Sequence, residues 1–252
     1  MINKSNINET TVELTINRPK VLNALDRKTR IELYEALEDI KSDSSVCVVV
    51  ITGEGEKSFC SGADIKEISK LNDSEINEFV TKEHEFLNYL RNFPKPVIAK
   101  VNGYAFGSGL LLVLAADFSI SKSDATFGMP EVARGAAAGY ETSLLLNYIG
   151  LTKTRVLTIL GQKISAKEAK SWGLLNHSVD FNKLNYTVEN LAKRLSELNP
   201  NAIICQKNLI NSWIDNGPFE FVNEGISEIC KIIIENKHYE SKKANLIPNI
   251  FE

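Results

Sequence analysis

The chain has 252 residues, 43% of them hydrophobic and 24% charged, with a formal net charge of −3. A chain of this length and balance builds a sizeable core without disulfide staples, and its slight acidity argues against general nucleic-acid binding. The four cysteines, Cys47, Cys60, Cys205 and Cys230, include no Cys-x-x-Cys pair, so neither a zinc knuckle nor a redox dithiol is expected. The polar start MINKSNINET lacks the apolar core of a signal peptide, and no apolar run approaches the ~20 residues of a membrane span. The expectation is a cytoplasmic chain.

Thr11–Ile16 alternates and predicts a strand. Asn17–Asp26 predicts a loop around Pro19. From Lys28 a helix follows, with Ile31, Leu33, Tyr34, Leu37 and Ile40 on its apolar face. Val46–Thr52 predicts a buried strand running into a glycine-rich loop, and Ser61–Asp64 then opens a helix. Glu75–Arg91 carries Ile76, Phe79, Val80, Phe86, Leu87 and Leu90 at helical spacing. Val97–Val101 predicts a strand between Pro96 and a second glycine turn, Asn102–Gly109, which leads into the wholly apolar run Leu110–Ala116. Asp117–Ser121 predicts a short strand, and Thr142–Ile149 and Lys153–Leu160 predict helices. Ser165 and Glu168 form a capping box for another helix. Beyond Val179 the pattern is helical, over Tyr186–Leu198, Ala202–Asp215 and Phe219–Lys237. An α/β core over 1–200 followed by a helical region over 201–252 is expected.

Several familiar motifs fail on inspection. Gly53–Ser58 lacks the glycine a phosphate loop needs before its lysine. Gly107-Ser108-Gly109 lacks the outer spacing of a nucleophile elbow, and Leu112 stands where a dinucleotide fingerprint requires glycine. His84, His177 and His238 share no metal-binding spacing, so no metal site is expected. What remains is a pair of glycine turns, each following a buried strand and each leading into a helix N-terminus, where backbone N–H groups lack partners. Either these are two tight connections and nothing more, or two donors converge on one acceptor.

The stretches NRPKVLNALD, FCSGADIKE, PVIAKVNGYAFGSGL, AADFSIS, ATFGMPEVARG and ISAKEAKSWGLLNHSV resemble, in order and spacing, the crotonase or enoyl-CoA hydratase/isomerase superfamily. The resemblance runs over residues 11–180, with an echo at SKKAN. It implies an α/β fold, a spiral of β-β-α turns closed by C-terminal helices that assemble a trimer or a dimer of trimers. It also implies an acyl thioester whose oxygen accepts hydrogen bonds from two backbone N–H groups, at the positions of Ala63 and Ser108. Most relatives have glycine where Ser108 stands. No tightly bound cofactor is implied; coenzyme A enters as part of the substrate.

Hydratases of this family usually hold one water between two glutamates. The first position is Leu111 here, which can neither accept nor donate a proton; the second is Glu131 and is kept. One carboxylate suffices to move a proton between carbons, as in relatives that isomerise a 3-enoyl to a 2-enoyl thioester. Polyketide-type dehydratases on carrier-protein thioesters and crotonases that form carbon–carbon bonds resemble the pattern too, and a non-catalytic acyl-CoA-binding member is the remaining reading. Gly139 matches a glycine whose N–H donates in the pocket. Tyr140 and Glu141 replace small residues beside it, so Tyr140 is expected to shape the substrate site and Glu141 is a candidate second carboxylate.

For the coenzyme, the resemblance implies contacts along Lys20–Leu25 and Ala63–Lys66, with Leu22, Ala24, Ala63, Asp64 and Ile65 as candidates and Lys20, Arg27 and Lys28 near phosphates. Lys243 matches a lysine that reaches a neighbouring subunit's coenzyme. The acidic-glycine segment that usually precedes it is replaced by CKIIIENK, which leaves acyl-CoA and acyl-carrier protein both open as partners.

Overall fold

The computed structural model describes residues 1–139, 142 and 144–216. Tyr140, Glu141, the predicted helix Phe219–Lys237 and Lys243 lie outside the described residues.

The chain winds by contributing one strand to each of two sheets before each helix. β3 (Val48–Gly53) and β4 (Ser58–Cys60) precede the one-turn α2 (Ile65–Ile68) and α3 (Asp73–Arg91). β5 (Val97–Val101) and β6 (Tyr104–Phe106) precede α4 (Ser108–Ala115); β7 (Phe118–Lys122) and β8 (Thr126–Gly128) precede α5 (Leu144–Thr158). The first strand of each pair joins a six-stranded sheet, ordered β1-β2-β3-β5-β7-β10, with β1 (Ile2–Asn8), β2 (Thr11–Ile16) and β10 (His177–Val179). The second joins a four-stranded sheet, β4-β6-β8-β9, with β9 at Ile164–Ser165. All ladders are parallel except β1 with β2 and β8 with β9. This is the β-β-α spiral expected from the sequence.

The alternation of side chains explains why the central strand reads as continuously apolar. Val49 and Ile51 of β3 enter the main core, while Val48 and Val50 face the opposite way. There they meet Leu184, Val188, Leu191 and Leu195, the stripe of α7 (Phe181–Ser196). A strand covered on both faces has no polar side to show. The apolar run after the second glycine turn has the same cause: every residue of α4 is buried.

Some boundaries differ from expectation. The polar N-terminus forms β1, an edge strand whose side chains are mostly exposed, so it lacks an alternating pattern. The Asp117–Ser121 strand begins one residue later, because the Asp117 carboxylate accepts the Val97 N–H at 2.7 Å. The helices predicted at 142–149 and 153–160 are two parts of α5 meeting at a non-helical Gly150. The helix expected from Tyr186 starts at Phe181. The capping box at Ser165 and Glu168 forms and opens α6 (Ala166–Trp172). α8 (Pro200–Asn216) lies back on the core: Lys207 Nζ donates to Asp117 Oδ2 at 2.6 Å, and Asn211 donates to the Arg91 carbonyl at 3.1 Å.

Candidate functional site

β4 and β6 are parallel neighbours, so the two glycine turns that leave them lie side by side. Gly62 and Gly107 touch across this gap. A Cβ on Gly62 would lie 2.9 Å from the Phe106 carbonyl oxygen and 3.5 Å from the Ser108 nitrogen. Gly107 has φ +51° and ψ −125°, a backbone shape side chains avoid. A Cβ there would meet Glu131 Oε1 at 2.6 Å. Both turns therefore need glycine, and the second needs it because the Glu131 carboxylate occupies the space.

The loop from Arg18 to Leu25 runs along the first turn. The Ser61 N–H donates to the Leu22 carbonyl at 3.1 Å, Leu25 N–H to Gly62 O at 2.9 Å, and Asp64 N–H to Leu25 O at 2.9 Å. The last two bonds form a parallel bridge between Leu25 and Ala63. In such a bridge the middle residue's own N–H points away from its partner strand. The Ala63 N–H is thus turned from the loop toward the side of β6, whose continuation is Gly107–Ser108. Ser108 is the first residue of α4, so its N–H is one of the donors no helical carbonyl can reach.

Leu22 and Asn23 are non-glycine residues at positive φ, 54° and 56°. Such strain persists only where the surroundings enforce it. Buried Asn23 supplies the enforcement: its Oδ1 accepts the Arg18 N–H at 3.0 Å, and its Nδ2 donates to the Ser58 and Glu54 carbonyls at 2.7 and 3.0 Å. Arg18 adds a clamp, pairing with Asp26 at 2.9 Å and Asp64 at 3.0 Å and donating to the Ala24 carbonyl. Leu22, Ala24, Ala63, Asp64 and Ile65 are thereby brought into one patch. Ala24 is buried and Ile65 exposed. The Asp64 carboxylate also accepts from Lys66 N–H and caps α2. Lys20, Arg27 and Lys28 are exposed, Arg27 paired with Glu78 and Lys28 with Glu32.

Glu131 follows Pro130 in a 3-10 turn, Pro130–Arg134, ended by Gly135 in the left-handed conformation. β8 leads into this turn, and the Gly107 N–H donates to Gly128 O at 3.0 Å, which ties the carboxylate's segment to the glycine turn. Its Oε2 is buried and has no hydrogen-bond partner. Burial pushes the Glu131 carboxyl above the usual carboxylate range, and the nearby Glu83 charge adds to that rise. Gly139 lies beyond the turn, its carbonyl accepting the Thr142 N–H at 3.0 Å and hydroxyl at 2.7 Å. Among the described residues no hydrogen bond joins it to Ser108 or Glu131.

The Ser108 hydroxyl donates to Glu83, a half-buried residue of α3 that the sequence reading passed over. Its signal was present: Phe79, Glu83, Phe86, Leu87 and Leu90 form one helical stripe, and a glutamate on a core stripe is rare unless paired. Leu111 is buried, one turn after Ser108 on α4, and borders a cavity of about 430 Å³ with Leu87, Ala115, Leu144 and Ile214.

A family model described as enoyl-CoA hydratase/isomerase matches residues 6–218. A short-chain-enoyl-CoA hydratase of Clostridium acetobutylicum is 38% identical over 199 residues, 79% of this chain and 76% of that protein. A carnitinyl-CoA dehydratase of Shigella flexneri is 35% identical over 238 residues, 93% of this chain and 87% of that protein. The crystal structure of an enoyl-CoA hydratase from Bacillus anthracis superposes with a TM-score of 0.87 at 29% identity, covering 95% of this chain and 92% of that one. With the spiral and the paired turns in place, these likenesses make the chain an acyl-CoA-processing enzyme of the enoyl-CoA hydratase/isomerase family.

Proposed function

We propose that the protein transfers a proton at the carbon next to a coenzyme A thioester, by double-bond isomerisation or by hydration and dehydration, with Glu131 as the proton-transfer group. In this reading the thioester oxygen sits between the Ala63 and Ser108 N–H groups, and the charge that builds on it in the enolate is met by both donors. Losing one such preorganised donor raises a barrier by about 2.7–4 kcal/mol. The coenzyme arm lies along the Leu22–Ala24 loop and the Ala63–Ile65 segment. The observation that carries the reading is the Glu131 carboxylate, pressed against Gly107 with one oxygen buried and unpartnered. Burial also holds it in the protonated form further toward neutral pH than an exposed glutamate, as a group that alternately gives and takes a proton requires.

The test is exchange of the α-hydrogens of butyryl-CoA in heavy water. Glu131→Gln, which keeps the shape but cannot take the proton, should reduce exchange by about 10²–10⁴-fold while leaving acyl-CoA binding. Exchange at the wild-type rate in the folded variant would overturn the assignment. We further propose that the chain works in the cytoplasm as a trimer or hexamer built through residues 201–252, with Gly139, Tyr140, Leu111 and Lys243 contributing to the thioester site.

A further inference from the structure

We propose that Glu83 is the second acid–base carboxylate of this site, delivered by α3 in place of the one missing at Leu111, and that it equips the enzyme to add water to a 2-enoyl thioester. The inference rests on the reading of Glu131 given above. Three observations carry it. The Ser108 hydroxyl donates to the Glu83 carboxylate, so Glu83 reaches the residue whose N–H faces the thioester. Glu131 Oε1 occupies the space beside Gly107, the residue before it. The two carboxylates therefore reach neighbouring residues of the second glycine turn, Glu131 at Gly107 and Glu83 at the Ser108 side chain. They are also close enough for the charge of Glu83 to raise the Glu131 pKa.

The surroundings of Glu83 suit a carboxylate that takes a proton from water. Arg30, on α1 (Arg27–Ser42), is buried over the Phe79 ring at 4.0 Å, with Nη1 lacking a hydrogen-bond partner. Its guanidinium and the Glu83 carboxylate attract each other. Glu83 faces this cation, while Glu131 is desolvated and beside a like charge, which favours its protonated form. Two carboxylates in such different surroundings are the arrangement that divides acid from base. Glu83 removes one proton from water as the water oxygen bonds to C3 of the enoyl thioester. The C2–C3 π pair passes to C2 and the thioester oxygen, and Glu131 delivers its proton to C2. One water is consumed, and the proton on Glu83 returns to Glu131 through solvent.

Hydration of 2-butenoyl-CoA and α-hydrogen exchange of butyryl-CoA separate the two carboxylates, because exchange needs Glu131 and no water addition. In Glu83→Gln, which can still accept the Ser108 hydroxyl, hydration kcat should fall by about 10²–10⁴-fold with exchange retained. Glu83→Asp, a carboxylate one methylene shorter, should recover part of the hydration rate and decides the matter if the Gln variant does not fold. Unchanged hydration in the folded Gln variant overturns the proposal. So does equal loss of both activities, which would mark Glu83 as structural. A wild-type enzyme that exchanges but never hydrates overturns the role of Glu83 and leaves that of Glu131 standing; one that does neither overturns both.

Discussion

Gly107→Ala isolates the geometry on which the site depends. The added methyl meets two obstacles. The first is the backbone, at φ +51° and ψ −125°; a side chain held in so sparsely populated a region costs about 1–3 kcal/mol, which lowers Tm by roughly 2–12 °C in a chain of this size. The second is Glu131 Oε1, 2.6 Å from the new Cβ. That oxygen ends a flexible side chain, so it yields by roughly 1 Å at little cost in stability, but a misplacement of that size near the reacting atoms costs about 10²-fold in rate. Gly55→Ala supplies the control. Its φ is +79° and nothing lies within 4 Å of a Cβ there, so it carries the strain without moving the carboxylate. Thermal melts and α-hydrogen exchange on both variants are the assay. A loss of stability is expected in both, with exchange lost in the Gly107 variant alone. Full exchange in Gly107→Ala, or an equal loss in Gly55→Ala, would refute the reasoning.

Arg18→Met removes the clamp between Asp26, Asp64 and the Ala24 carbonyl. It should raise KM for an acyl-CoA about tenfold, equal to ~1.4 kcal/mol of binding, with kcat little changed in steady-state kinetics. Lys207→Met leaves the buried Asp117 carboxylate without its cation. Chemical denaturation should show a loss of about 3–5 kcal/mol at neutral pH. The loss should shrink on acidification, because burial already holds the Asp117 carboxyl above its ordinary range. Glu131→Gln should be more stable than the wild type at neutral pH. The native Glu131 pKa lies above the unfolded value, so the wild type loses stability as pH rises through the native pKa. The gap should close below about pH 4.5, where the group is protonated in both states; a gap that widens on acidification contradicts the assignment.

The candidate residues Ala63, Ser108 and Glu131 were named by the resemblance of the short motifs that carry them; the two glycine turns alone left open a reading as tight connections with no further role. Long helices were legible from periodicity, since Val188, Leu191 and Leu195 repeat with the helical period. The second sheet was not, since β4, β6 and β8 have three residues each, too few for alternation to register. Arg18 was missed because an ion pair between residues 18 and 64 leaves no trace in spacing.

The sequence by itself determined the spiral, the two glycine turns and the retained Glu131, and it placed leucine where relatives carry their other glutamate. Only the tertiary structure decided which groups meet around those turns. The parallel pairing of β4 with β6 sets Gly62 against Gly107. The packing of α3 on α4 carries Glu83 to Ser108, 25 residues away in the chain. A carboxylate on an amphipathic stripe reads from sequence as one interruption among hydrophobes. Its environment, and so its protonation and its use, is fixed by neighbours that only folding supplies.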